Sequence, residues 1–274
     1  VGGVSGKFGT VNPLPRPLQW LAGGLRPLIR KALIETSSVD LRLVRWRLDA
    51  GGCPGADVTA LFPPQCEASR PSGALMDLAA RVIARTASTT LRFPPDRAIP
   101  EEVHRWPGEH YRLLSALVVE TGARNVVEIG THTGLGTLAL KGALQPAGRI
   151  ATFDLIPWNQ FSNSFLRPGD FEDGSVRQFM DDLGDASVCA RHANLLRETD
   201  LIFVDAAKDG SLERRLLDNF ESVGLRKGTL VVLDDIRLWN MLDIWRRIRQ
   251  PKLDFTSFGH FTGTGLVEWG GDRS

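Results

Sequence analysis

The sequence predicts an α/β protein, with a doubly wound, mostly parallel sheet covered by helices on both faces. Two observations carry that prediction. From Leu75 onward, runs of strand character alternate with runs of helical period, the order that builds parallel strands joined by helices. The strand runs NVVEIG, LIFVDA and TLVVLDD are also largely apolar up to their last residues, as strands buried on both faces must be.

The chain before that alternation reads differently. Val1 to about Ser72 is rich in Gly, Pro and Arg and keeps no sustained period, with Leu41 to Leu48 its one short alternating run. Up to Pro100 there are 13 Lys/Arg against 7 Asp/Glu, and from Glu101 onward 20 against 25. A basic front therefore precedes a mildly acidic remainder. The first methionine is Met76, where helical patterning begins. Residues 1–72 are expected to be a poorly ordered basic extension, an over-extended reading of the gene.

Residues 73–122 are expected as a helical lead-in. LMDLAARVIARTA repeats apolar residues at helical spacing, PPDRAIPEEV is a turn-and-cap signal, and HYRLLSALVVETG is a helix closed by Gly122. The main domain is then 123–274. NVVEIG opens it as a strand, followed by a helix from Gly134 to Ala143, the run RIATFDL and a long polar loop. VRQFM and LIFVDA are the next strand-like runs. LERRLLDNFESVG is a helix, TLVVLDD a strand and NMLDIWRRIR a helix, and FTSFGHF and TGLVEW close the chain.

Composition narrows the function classes. Of 274 residues, 42% are hydrophobic and 24% charged, the balance of a globular protein with a sizeable core. A net charge of +1 gives no reason to expect nucleic acid as partner. Cys53, Cys66 and Cys189 are too dispersed for a zinc site and too few for a disulfide scaffold, which suits a reduced, cytoplasmic compartment. The most apolar segment, PLQWLAGGLRPLIRKALI, is interrupted by Arg26, Pro27, Arg30 and Lys31. It is too broken for a membrane span, and Pro27 with the paired glycines also spoils it as a long surface helix.

The run VVEIGTHTGLGTLAL joins a buried strand to a helix through Gly130, Gly134 and Gly136. Glycine lets the chain turn sharply and lets a ligand approach the main chain. The spacing G-x-x-x-G-x-G is neither the dinucleotide fingerprint nor a P-loop. Glu128 before the turn disfavours a pyrophosphate and suits an ammonium or a ribose. Eighteen residues past Gly136 the next strand ends in Asp154, suited to two vicinal ribose hydroxyls. A third ends in Asp181 and Asp182, where an acceptor meets an adenine amino group.

Over roughly Glu101 to Trp269 this arrangement resembles the class I S-adenosylmethionine-dependent methyltransferases, and EIGTHTG is similar to the loop of catechol and caffeoyl-coenzyme A O-methyltransferases. The resemblance implies a Rossmann-like sheet with an antiparallel C-terminal strand. It implies that Glu128, Gly130, Thr133, Gly134 and Gly136 line the methionine moiety, Asp154 the ribose and Asp182 the adenine, with Tyr111 near the methionine carboxylate. In these enzymes the fourth strand ends in D-x-x-K, matched here by Asp205-Ala206-Ala207-Lys208. The Asp holds a divalent metal and the Lys takes the substrate proton. The second metal pair, usually Asp-Asn, is here Asp234-Asp235, a departure that resembles the sugar-hydroxyl methyltransferases of macrolide pathways. Homodimers are common among such enzymes.

Elementary electrostatics points the same way. Carboxylates from Asp205, Asp234 and Asp235 gathered at adjacent strand ends repel unless a cation sits among them. An all-oxygen site with open water positions suits Mg²⁺, which lowers the pKa of a bound hydroxyl. Lys208 is then the expected base, provided that its own pKa is depressed. His260, in the glycine-rich FTSFGHFTGTG, is the rival base. Asp209 is expected to cap the following helix, His132 to contact cofactor or pack, and the Arg246, Arg247, Arg249 cluster to be a solvated helix face. The expected function is Mg²⁺-assisted O-methylation of a small-molecule hydroxyl, of sugar or natural-product type. The alternatives are a phenol or catechol acceptor, a catalytically silent cofactor-binding module, and a nicotinamide oxidoreductase on the same sheet.

Overall fold

The computed structural model describes residues 68–104, 108–238 and 240–271. The disorder expected for the front of the chain falls, for 1–67, outside the described residues. Residues 68–72 are fastened to the domain. The amide of Ala68 donates to Arg246 O at 2.9 Å, and Ser69 Oγ donates to Ile248 O and Gln250 O at 2.9 and 2.7 Å. Ser72 Oγ accepts from Leu75 N and so caps the first helix.

Seven strands form the sheet: β1 (Asn125–Ile129), β2 (Arg149–Phe153), β3 (Val176–Phe179), β4 (Leu201–Val204), β5 (Leu230–Asp234), β6 (Lys252–Asp254) and β7 (Thr264–Glu268). Their order is β3-β2-β1-β4-β5-β7-β6. The first five are parallel, and β7 runs antiparallel to both β5 and β6. This is the doubly wound, mostly parallel arrangement that the alternation predicts, with the antiparallel C-terminal strand. The short strand β6 has no counterpart in the sequence reading, since three residues are too few to show a period.

Helices on the two faces are α1 (Gly73–Ser88), α2 (His110–Thr121), α3 (Leu135–Ala143), α4 (Gly169–Glu172), α5 (Ala186–Arg191), α6 (Ala193–Arg197), α7 (Leu212–Val223) and α8 (Met241–Arg247). The period of two along a strand divides the core. Val126 of β1 and Phe203 of β4 pack with Leu75, Leu114 and Leu117 of α1 and α2. Val127, Ile129 and Ile202 pack instead with Leu216, Phe220 and Trp245 of α7 and α8. Gly122 and Gly224, at φ 64° and 73°, end α2 and α7, as left-handed residues after a helix do.

The chain leaves β1 towards β2 on one side, while β4 lies on the other. The carboxyl ends of β1 and β4 therefore flank the crevice where open sheets of this kind take ligands. Gly108, ahead of α2, forms an isolated antiparallel bridge with His260. This ties the entry to α2 to the segment between β6 and β7. FTSFGHF supplies no strand of its own; Thr256–Phe258 is a 3₁₀ turn.

Leu117, fully buried under the sheet, tests this core. Leu117→Ala should cost about 3 kcal/mol, read in thermal unfolding as a Tm drop on the order of 10 °C.

Candidate active site

The glycine turn is shaped first by packing within the protein. Gly130 has φ +105°, and a Cβ there would meet the Asp205 carbonyl oxygen at 1.9 Å. Gly134, at φ +84°, lies against Leu166, and a Cβ on Gly136 would stand 2.6 Å from Glu128 Oε1. These glycines let β1, β4 and α3 approach one another, a role that the sequence reading assigned to ligand approach. Thr133 is half-buried in the same turn and its carbonyl accepts from Phe165 N at 2.8 Å.

Glu128 departs from expectation most. Instead of lining a ligand surface it is buried beneath the turn, 1% exposed. Its carboxyl accepts hydrogen bonds from Thr137 and, at 2.6 Å, from Thr152. Burial pushes its pKa up to about 8, although the two threonine hydroxyls pull the other way.

Asp154 follows β2. Its Oδ2 accepts from His132 N at 2.9 Å and its Oδ1 from Ile156 N at 3.1 Å, so it fastens the glycine turn to the end of β2. His132 is held at φ 42°, its ring edge-on to Phe161 at 5.1 Å. Asp182 accepts from Gly184 N at 2.7 Å and borders a surface groove of about 440 Å³ with Asp185, Arg215 and Asn219. Asp181 pairs with His192 at 2.7 Å. Asp154 thus follows β2, and Asp181 and Asp182 both follow β3.

A compact cluster stands at the ends of β4 and β5. Lys208 Nζ lies 2.8 Å from Asp205 Oδ1, 3.5 Å from Asp234 Oδ2 and 3.4 Å from Asp235 Oδ2. Lys208 and Asp234 are buried, while the Asp205 side chain is 40% exposed. Burial alone would favour a neutral Lys208, but Asp205, Asp235 and Asp234 outweigh it and hold the ammonium well above the ordinary lysine range. Burial also opposes ionisation of Asp205, yet Lys208 brings its pKa down to about 2. Asp234 goes the other way, raised far above the carboxylate range by burial and then by Asp235. The depressed lysine pKa that a base requires is thus absent while the three carboxylates face it.

Two histidines join this cluster. His260 Nδ1 is 3.3 Å from Asp235 Oδ1, and Thr262 Oγ1 contacts both Asp235 and His260. His110 Nδ1 is 3.7 Å from Asp234 Oδ1, and its ring stands edge-on to His260 at 5.1 Å and to Tyr111 at 4.8 Å. Burial and the neighbouring His260 lower the His110 pKa to about 3. Tyr111 is half-buried, and burial together with Asp205 and Asp234 raises its phenol.

The backbone is strained at this spot. Of four non-glycine residues with positive φ among those described, His132, Lys208 and Asp235 belong to the site, the latter two at 59° and 58°. Each such residue costs on the order of 1 kcal/mol or more and persists only where the surroundings impose it. Glu213, buried in the first turn of α7, imposes it here. Its carboxylate accepts from Lys208 N at 2.6 Å and Gly210 N at 3.0 Å. Asp209 caps the same helix by accepting from Ser211 N and Leu212 N, as expected.

Asp205, Lys208, Asp234, Asp235 and His260, all singled out from the sequence, lie together in this cluster. His110, Glu213 and Thr262 join them with no role assigned from the sequence. For Glu213 a signal exists, an acid in the first turn after Asp-Gly-Ser. For His110, remote in sequence from both strand ends, none does.

The fold, with a family match over residues 100–244, makes this chain a class I S-adenosylmethionine-dependent methyltransferase. Residues 100–244, more than half of the chain, match the family described as O-methyltransferase, and the chain belongs to that family. No curated protein matches the sequence. Similar solved structures include the S-adenosylhomocysteine-bound methyltransferase PaMTH1 of Podospora anserina, 17% identical, covering 78% of this chain and 100% of that one at a TM-score of 0.47. The O-methyltransferase TomG of Streptomyces achromogenes, solved with S-adenosylmethionine, is 19% identical over 73% and 91% of the two chains, TM-score 0.40. MycE of the mycinamycin pathway, solved with Mg and S-adenosylhomocysteine, is 21% identical over 63% and 41%, TM-score 0.36. Among the described residues no helix is long and apolar enough to cross a membrane.

The buried Glu128 carboxyl yields a pH prediction. Below its ordinary 4.5 both folded and unfolded chains hold the proton; between 4.5 and about 8 only the folded chain does. Stability therefore falls as pH rises through that window and levels off above it. Glu128→Gln should leave Tm unchanged near pH 4.5 and raise it increasingly up to pH 8. The difference there should be on the order of a few kcal/mol, read by calorimetry across pH. A constant Tm difference at all pH values would contradict it.

Proposed function

We propose that this enzyme methylates a hydroxyl of a small molecule, of sugar or natural-product type, with help from a divalent cation at the acidic cluster. One observation carries the cation. Asp234 Oδ1 is buried without a hydrogen-bond partner, beside carboxylates whose charge Lys208 offsets only in part. The residues present fit the group: Asp205, Asp234 and Asp235 offer oxygen ligands at two adjacent strand ends. When bound, the cation would supply Lewis acidity to the acceptor hydroxyl, and S-adenosylmethionine the methyl group.

The chain's own groups would do the rest. Asp154 would take the ribose hydroxyls on its unused lone pairs and Asp182 the adenine edge. The glycine turn, with Thr133, and Tyr111 would border the methionine end. Lys208 keeps the three carboxylates in register and is the proton acceptor in this reading once they are neutralised. His260, oriented by Asp235 and Thr262, is the second group in reach. Phe258, 42% exposed, and Phe261, stacked on His260 at 5.1 Å, supply apolar faces on which a sugar or an aromatic ring packs. The dispersed cysteines fit a cytoplasmic setting.

Three measurements test this reading. Asp154→Asn should weaken S-adenosylhomocysteine binding about tenfold or more by calorimetry; unchanged affinity removes the ribose role. EDTA should abolish methyl transfer from labelled cofactor to a panel of sugars and phenols, and a divalent cation should restore it. Lys208→Met should lower turnover by about a hundredfold at unchanged cofactor affinity. Retained turnover would move the proton acceptor to His260.

A further inference from the structure

The acidic cluster contains a nitrogen donor that an all-oxygen magnesium site would lack. His110 is 4% exposed and Asp234 3%. Nδ1 of the one stands 3.7 Å from Oδ1 of the other, too far for a hydrogen bond. That carboxylate oxygen has no hydrogen-bond partner. Two buried polar groups thus face each other across a gap, and on the Asp234 side nothing fills the lone pair. Leaving a buried carboxylate oxygen unmet is costly.

Asp234 is divided between two neighbours. Its Oδ2 faces Lys208 at 3.5 Å, and Lys208 also takes Oδ1 of Asp205 at 2.8 Å. Asp234 Oδ1 is left on the other side with His110. Donor atoms of His110, Asp205 and Asp234 lie within 4.8 Å of one another. A nitrogen and an oxygen 3.7 Å apart both reach one ion at about 2.1 Å, with an angle of roughly 120° at the ion. The second histidine is differently occupied: Nδ1 of His260 is already met by Thr262 and Asp235.

We infer that His110 is a ligand of the cation, making the centre a mixed nitrogen–oxygen site that selects a first-row transition dication over Mg²⁺. The inference rests on the cation site proposed above and concerns which ion it takes. Imidazole favours the later first-row dications, whereas Mg²⁺ favours oxygen and retained water. His110 enters from α2, so the ion would join the lead-in helix to the ends of β4 and β5. Asp205, with its side chain 40% exposed, is the ligand facing the open side where an acceptor oxygen would bind.

The test uses the full chain stripped of metal, with no turnover needed. Calorimetric titration should give an affinity for Co²⁺ at least about tenfold above that for Mg²⁺, a preference that His110→Gln reduces to within about threefold. With Mn²⁺ bound, electron spin-echo modulation should show a ¹⁴N coupling that persists in His260→Gln and vanishes in His110→Gln. If His110→Gln fails to fold, the coupling in the parent and in His260→Gln decides the matter. Equal affinities for Co²⁺ and Mg²⁺ with no ¹⁴N coupling would overturn the inference and leave the cation site standing. Failure of any dication to bind would sink both.

Discussion

The structure at the sheet's carboxyl edge depends on one buried ammonium among three carboxylates. Asp205 comes from the end of β4, Asp234 and Asp235 from the end of β5, and Lys208 Nζ is within 3.5 Å of all three. Remove the positive charge and like charges would share a low-dielectric site, which costs several kcal/mol unless one takes up a proton. The upward shift of Asp234 and the downward shift of Asp205 are the two sides of that constraint. One acid is better served by the ammonium than the other. The pair of strand ends must therefore stay in register, and the features around them serve that end.

Three levels of support converge on this register. Parallel pairing of β4 with β5 aligns Val204 with Leu233, so the acids emerge side by side. The close approach of Gly130 to the Asp205 carbonyl brings β1 against β4 where the glycine turn begins. Glu213 then holds the backbone of Lys208 and Gly210 from the first turn of α7, fixing a positive φ that lysine would otherwise avoid. The strain at Lys208 and Asp235 is borne by these contacts and by the core beneath them. Within the cluster Lys208 and Asp234 are buried, and Asp205 is the most exposed acid.

The glycine turn shows how one residue pattern answers two demands. Its glycines read as a surface for a ligand, yet Gly130, Gly134 and Gly136 each occupy space that a Cβ would contest with Asp205, Leu166 or Glu128. The carboxyl of Glu128 underpins the turn, held by Thr137 and Thr152. Spacing alone does not separate these roles, because both require a missing side chain. On the other flank, Asp154 takes backbone amides from His132 and Ile156, so the acid read as a ribose contact also fastens the turn.

The amino-acid order is enough to call for the doubly wound sheet, because uninterrupted apolar runs between helical periods have few other ways to bury themselves. It also marks which acids stand at strand ends, since a polar residue after an apolar run shows where burial stops. Asp154, Asp205 and Asp234 are legible for that reason. Which of these groups meet is a matter of packing. His110 lies 95 residues before Asp205 and 124 before Asp234, and only the docking of α2 on the sheet and the bridge from Gly108 to His260 bring both histidines to the acids. Packing also buries Glu128 while leaving Asp205 partly exposed, and it keeps Lys208 charged among its neighbours. Proximity between residues distant along the chain, and the desolvation that shifts a proton, are properties of packing, which local pattern does not encode.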